Sequence, residues 1–304
     1  MASKEGPLSL ESLTPKARQV ILLKRIEERK PAKAWRSLLT ELAGFDSIRD
    51  RLYAKASRRR VLFFVLFGIL FVLSFLLGDA LGLPGVVVGL LLSCACLVLS
   101  ILFHSRVKKL RDMDLMSDFR TVLIPLLKIL QEDLTKKVPV RLSLNLVGLK
   151  PGKVIREGDV PPGRFKRVTE RLYRDRWCAM SVRMADGSMV RLRLVNLVLR
   201  QERQWTNPRR KTKFKVKWKK VVLVSATLFP SVEYLRWNKS RVQERARVDK
   251  VRIVKRRGIP GVRITRKFKF KTVGKEPVET IKAKEIVRLL MHLYAMTRPV
   301  GERR

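Results

Sequence analysis

The stretch Val61–Phe103 constrains this chain more than any other feature, because it contains no Lys, Arg or Glu and only one acidic residue, Asp79. Two apolar runs, Val61–Leu77 and Val86–Phe103, flank the turn-forming sequence Gly78-Asp79-Ala80-Leu81-Gly82-Leu83-Pro84-Gly85. As a helix each run spans roughly 26–27 Å, close to the hydrocarbon thickness of a bilayer. The expected structure is a transmembrane hairpin over 61–104, with helices about 61–78 and 85–104 and an outer loop about 79–84. Core helices of water-soluble proteins rarely lack charge so completely. Arg58-Arg59-Arg60 precede the first run, and Arg106, Lys108, Lys109 and Arg111 follow the second, whereas the loop has no cation. Positive ends stay inside, so the chain is expected in the cytoplasmic membrane, multi-pass, with both termini cytoplasmic. The first apolar run begins only at residue 61 and a second follows directly, so a cleavable signal peptide is not expected.

Charge separates the remaining parts. The chain has 68 Lys+Arg against 26 Asp+Glu, a net of +42. Residues 1–60 carry +8 and residues 105–304 carry +35. Such an imbalance exceeds what solubility needs and points to an anionic neighbour, either the inner-leaflet surface or nucleic acid.

Residues 1–60 read as a basic helical segment. Thr14-Pro15 starts a helix running to about Lys30, where Pro31 stops it. A second helix is expected over Ala32–Ala43, with Trp35, Leu38, Leu39 and Leu42 on one face, and a third capped by Asp46 or Ser47. A juxtamembrane helix is expected over 105–137, its seam formed by Met116, Phe119, Leu123, Leu126 and Leu130 and interrupted at Pro125. Within the hairpin, Phe63, Phe67, Phe71 and Phe75 form one stripe. Gly85, Gly89 and Ser93 form a small-residue face on the other helix. Close packing drives association in lipid, so either the rings meet the small residues or the small face pairs with a second copy as a homo-oligomer.

From Pro139 the pattern changes to period two, and residues 138–304 read as a basic β-rich domain. Val140, Leu142, Leu144 and Leu146 alternate with polar residues. Cys178–Met184 and Met189–Leu199 flank Ala185-Asp186-Gly187-Ser188, read as a hairpin with a type I′ turn. Gln201–Thr212 reads as an exposed connection. Lys213–Lys219 alternates strictly and leads into Val221–Leu228, and Val248–Val254 pairs with Val262–Val273 across Gly258-Ile259-Pro260-Gly261. Pro277 precedes a terminal helix about 278–296. The fold class is therefore an α+β membrane protein: a two-helix hairpin, a helical N-terminal segment, and a mostly antiparallel domain of about six strands flanked by helices.

Catalytic motifs are missing. His104 and His292 are the only histidines, and no P-loop, zinc-binding or nucleophile signature occurs. Cys94 and Cys96 are two residues apart on a helix and cannot pair with each other. No enzyme activity, cofactor, metal or small-molecule substrate is expected. The candidate anion-facing residues are Arg191, Arg193, Lys213, Lys215, Lys217, Lys219, Lys267, Lys269 and Lys271, because strand alternation puts each row of cations on one face. The expected function is that of a membrane-anchored protein whose basic cytoplasmic domain lies against anionic lipid headgroups or serves as an interaction module. The alternative is a membrane-tethered nucleic-acid or polyanion binder. Phe214, Trp218, Phe268 and Phe270 interleave with the lysines, but alternation sends them to the opposite face, where they are expected to be core, which weakens a base-stacking role.

Overall fold

Local sequence starts the first helix as expected, and pairing with a distant strand then overrides it. In a computed structural model of the chain, residues 10–76, 78–134, 138–148, 153–161, 163, 165–231, 235–246, 250–256, 258–273 and 280–300 are described. Helix α1 (Pro15–Leu23) is capped by Thr14, whose Oγ1 accepts from the Ala17 amide at 3.3 Å. It ends at Leu23 rather than near Lys30, because Lys24 takes a left-handed φ of +52°. Arg25–Pro31 then forms strand β1, although its charged residues favour helix in isolation. A single 45-residue helix, α2 (Ala32–Leu76), replaces the expected second and third helices and continues through the apolar run. Asp46 caps nothing there. Its carboxylate instead accepts from Arg49 Nη2 at 2.7 Å. Helix α3 (Gly78–Asp112) follows. The expected loop about 79–84 is helical, with Pro84 inside α3, and Leu77 lies outside the described residues. A proline in a helix forfeits one backbone hydrogen bond, whereas an open loop in apolar surroundings would forfeit several.

The chain divides into two units. The first holds residues up to Leu22 and Glu41–Asp114. The Thr14 amide and hydroxyl donate to the Glu41 carboxylate at 2.7 and 2.9 Å. The helices α2 and α3 pair below their apolar runs through Ala56, Val107 and Leu110, with Leu52, Tyr53 and Phe103 against them. Arg49 donates to Asp50 at 3.0 Å as well as to Asp46, and also to Asp114, so three carboxylates surround one guanidinium. Both helices are long and apolar enough to cross a membrane. Their most apolar windows are 6 % and 11 % buried, which is not the burial of core helices. Gly89 of α3 lies against Ser74 of α2, where an added Cβ would stand 2.7 Å from the serine Cβ. Ser93 and Ser74 are buried, and Gly89 itself is half-buried. Gly89 of the small-residue face thus meets a small residue of the other helix. Phe63 stacks on Phe103 at 5.6 Å, while Phe71 and Phe75 continue the stripe outward and are exposed.

The second unit holds Leu23–Thr40 and the chain from Leu115 onward. After a π-helical turn, Phe119–Leu123, comes α4 (Ile124–Leu130), with Pro125 in its first turn, where no amide is needed. The expected continuous 105–137 helix is therefore broken, with α3 ending at Asp112 and the seam residues Phe119, Leu123, Leu126 and Leu130 buried in the short pieces. The strands are β2 (Pro139–Asn145), β3 (Lys153–Val160), β4 (Arg167–Arg183), β5 (Met189–Thr206), β6 (Thr212–Phe229), β7 (Leu235–Trp237), β8 (Lys250–Arg256) and β9 (Ile259–Val273), with β10 (Thr297–Pro299) at the end. Helix α5 (Lys239–Ala246) precedes β8, and α6 (Ala283–Ala295) is a shorter version of the expected terminal helix. The eight-stranded sheet runs β1-β2-β4-β5-β6-β9-β8, with β3 beside β4, and every pairing is antiparallel. The polar 201–206 segment belongs to β5, and only Asn207–Lys211 turns, closed by the Lys211 amide donating to Asn207 Oδ1 at 2.8 Å. At Asp186-Gly187 only Gly187 has positive φ, +78°, so the turn is not type I′. Asp186 accepts from the Ser188 amide at 2.9 Å, a turn role.

One sheet face is buried beneath α6, which packs on β6 and β9 and against α4. Val190, Leu192, Leu194, Val222, Val224 and Ile264 line it, opposite Ile286, Leu289 and Leu293. A bulge between Arg176 and Cys178 turns Trp177 inward as well. The Trp35 indole donates to the Val140 carbonyl at 2.9 Å.

This interior also holds charge. Asp118 Oδ2 accepts from Asn196 at 3.1 Å and from Lys220 Nζ at 3.4 Å, and Asp175 Oδ1 accepts from Asn145 at 3.1 Å. Burial raises the Asp175 carboxyl from 3.8 to about 6, against the pull of Asn145 and with the push of Asp118; Lys220 pulls it back. The folded protein thus holds a proton that the unfolded chain releases, so stability from this group is full below about pH 4 and falls as pH rises through about 6. Asp175→Asn is expected to remove that slope and to raise stability at neutral pH by about 1–3 kcal/mol. Thermal midpoints measured from pH 4 to 8 check this, and an unchanged slope would refute it.

Candidate anion-binding face

Directly opposed residues in an antiparallel ladder share a face, so register decides which cations stand together. On β5–β6, Arg191 faces Thr227, Arg193 faces Ser225, and Leu199 faces Lys219. On β6–β9, Lys219 faces Lys271, Val221 faces Lys269, and Leu223 faces Lys267. Lys213, Lys215 and Lys217 follow at two-residue steps. All nine cations singled out from the sequence therefore lie on one sheet face, opposite the one beneath α6. Arg193, Lys213, Lys215, Lys267, Lys269 and Lys271 are exposed, and Arg191, Lys217 and Lys219 are half-buried. Half-buried Val195, Leu197, Leu199, Val221 and Leu223 form an apolar band between the basic rows.

The same face carries arginines that sequence reasoning missed. Arg29 faces Arg141, which faces Ser181, which in turn faces Arg191. Arg183 faces Met189, and Arg252 faces Arg263. These residues come from strands far apart in sequence, and β1 itself reads as helix, so no local signal could have joined them. The face thus contains directly opposed like-charged pairs, among them Arg29 with Arg141, Arg203 with Lys215, Lys219 with Lys271, and Arg252 with Arg263. Directly opposed like charges destabilise a sheet. Glu27 relieves one of them by accepting from Arg141 at 2.5 Å.

The two ends of the face differ. Lysines dominate the distal ends of β6 and β9. Arginines dominate the end formed by β1, β2, β4 and β5, where the surface sinks into a depression of about 670 Å³. Neighbours other than acids hold several of these guanidinium groups. Arg191 lies over the Phe229 ring at 5.5 Å, Arg256 donates to Met189 Sδ, and Arg263 Nε donates to Thr227 Oγ1 at 3.2 Å. Phe229 can sit there because residue 261 is glycine: an added Cβ would stand 2.5 Å from its ring. Burial, and then the charges of Arg256, Arg193, Arg263 and Arg141, push Arg191 below its ordinary range.

The aromatic residues follow half of the expectation. Phe214, Trp218, Phe268 and Phe270 do lie opposite the lysines, but they are not core. Phe214 is 72 % exposed and the other three are half-buried, because the strands extend beyond the reach of α6. Arg200 lies over the Trp218 ring at 5.5 Å. His292 is half-buried, with Arg245 Nη2 2.6 Å from its Nδ1. Burial pushes the Cys178 thiol up, away from reactivity. Set against protein-family models, curated proteins and solved structures, the chain matches none of them.

Proposed function

We propose that this is a non-enzymatic membrane-anchored protein whose open, cation-rich sheet face lies against anionic lipid headgroups. The two apolar helices are the anchor. The basic residues flanking them support an orientation with both ends on the cytoplasmic side. The observation that carries the reading is the gathering of all nine candidate cations, with like-charged pairs opposed, on the sheet face that α6 leaves open. Each Lys or Arg near an anionic surface contributes at most about 1 kcal/mol, so several acting together hold a domain that is already tethered.

The test uses the full chain in nanodiscs. Amine acetylation of Lys213, Lys215, Lys219, Lys267, Lys269 and Lys271 is expected to be several-fold slower when phosphatidylglycerol replaces part of the phosphatidylcholine. Protection should fade as salt rises. Equal labelling in neutral and anionic discs would overturn the reading.

A second reading, nucleic-acid binding, draws on the exposure of Phe214 and the half-exposure of Trp218, Phe268 and Phe270. It is the weaker one, since a single strand of nucleic acid cannot stack on these rings and contact lysines on the opposite face at once. An electrophoretic mobility shift at physiological salt decides it, and absence of a shift ends it.

A further inference from the structure

The change from lysine to arginine along the open face has a chemical meaning. A lysine ammonium is a compact, strongly hydrated point charge that serves any anionic surface. A guanidinium is a rigid planar fork whose paired N–H groups match the oxygens of a phosphate. Six such forks, Arg29, Arg141, Arg183, Arg191, Arg193 and Arg256, line one depression, and the Ser143 and Ser181 side chains stand among them. Glu27 is the acidic residue in that lining, and its carboxylate is engaged by Arg141. Among the described residues, Arg29, Arg183, Arg191, Arg193 and Arg256 have no carboxylate partner. Arg191 is held over the Phe229 ring before any ligand arrives. Pre-positioned donors lose little freedom on binding.

We infer that this depression is a discrete binding site for a phosphomonoester group, carried by a lipid headgroup or by a soluble molecule. It rests on the reading that the open face meets anionic ligands, and it adds selectivity to that reading. A phosphomonoester presents three unesterified oxygens and up to two negative charges near neutral pH, whereas the phosphodiester of phosphatidylglycerol presents two oxygens and one charge. Converging guanidinium groups that repel one another are relieved more by the former. The lysine end responds to surface charge alone.

The full chain in nanodiscs tests this in two arms. In neutral phosphatidylcholine discs, glycerol 3-phosphate is titrated by calorimetry. In a second set, phosphatidic acid discs are compared with phosphatidylglycerol discs of matched total charge, and arginine labelling by a dicarbonyl reagent reports on occupancy. Binding of glycerol 3-phosphate supports a soluble source. At least about tenfold stronger protection of Arg191 and Arg193 in the phosphatidic acid discs supports a lipid source. The double variant Arg191→Lys/Arg193→Lys keeps the charge and removes the forks. It is expected to abolish the monoester preference, read by calorimetry and by dicarbonyl protection of Arg29, Arg183 and Arg256, which the variant retains. No glycerol 3-phosphate binding together with equal arginine protection in the two disc types would overturn the site. A monoester preference that survives in the double variant would overturn it too. Equal lysine labelling in neutral and anionic discs would instead overturn the underlying reading, so the two failures are distinguishable.

Discussion

Replacing Lys220 by Met is expected to cost the sheet unit about 3–5 kcal/mol, enough to leave much of it unfolded under ordinary conditions. Lys220 and Asp118 are both buried, and the Lys220 ammonium lies 3.4 Å from Asp118 Oδ2. Methionine matches the length of the lysine stem, so the packing loss is small. What disappears is the ammonium, leaving the Asp118 carboxylate, among the described residues, with the Asn196 amide, 3.1 Å away, on the same oxygen. Asp175 suffers as well, because after Asn145 it is Lys220 that pulls its carboxyl down. The variant should therefore lose stability most steeply above about pH 6 and recover part of it on acidification. The double variant Lys220→Met/Asp118→Asn removes both charges and is expected to regain most of the loss. Chemical denaturation of the three proteins across pH 5 to 8 checks this. A single variant as stable as the parent would show that the buried pair contributes nothing.

Gly89→Leu is expected to pry the two long helices apart. The position has no room for even a methyl group, since an added Cβ would stand 2.7 Å from Ser74 Cβ and 3.2 Å from Ser74 Cα. The backbone atom makes the clash hard to relieve by a side-chain rotation, so a helix must move. Overpacking of this kind costs about 1–3 kcal/mol, and it displaces Ser93 from its buried position on α3. Gly68, on α2, has nothing within 4 Å of where its Cβ would stand, so Gly68→Leu is the matched control and should be silent. Protease accessibility and thermal midpoints of the full chain in detergent read the difference. Equal behaviour of the two variants would refute the Gly89 contact.

The regular parts of this fold were legible because their signals are local. Strict alternation in Lys213–Lys219 and Lys267–Lys271 announced strands, and Pro277 announced the terminal helix, α6. The misreadings occur where a distant partner decides. Arg25–Lys30 consists mostly of good helix formers, yet it pairs residue by residue with β2, in a register running from Arg25 opposite Asn145 to Pro31 opposite Pro139. Gln201–Thr206 has the composition of a loop but continues β5, because β6 supplies backbone partners up to Thr212. The expected turn about Asp79 and Pro84 is helical, since turn propensity is an average over many contexts and a single segment need not follow it.

By itself the sequence determined the two long apolar helices, the basic balance around them, and the alternation that splits cations from apolar residues along each strand. These depend on residue type and on periods of 3.6 and 2, both of which operate over a few neighbouring residues. Only the tertiary structure decided that β1 joins the sheet, that Arg29, Arg141 and Arg256 stand on the same face as Arg191, and that α6 stops short of the aromatic end of β6 and β9. Register and layer coverage are set by which distant segments pair and how far a helix reaches, and no local pattern carries that information.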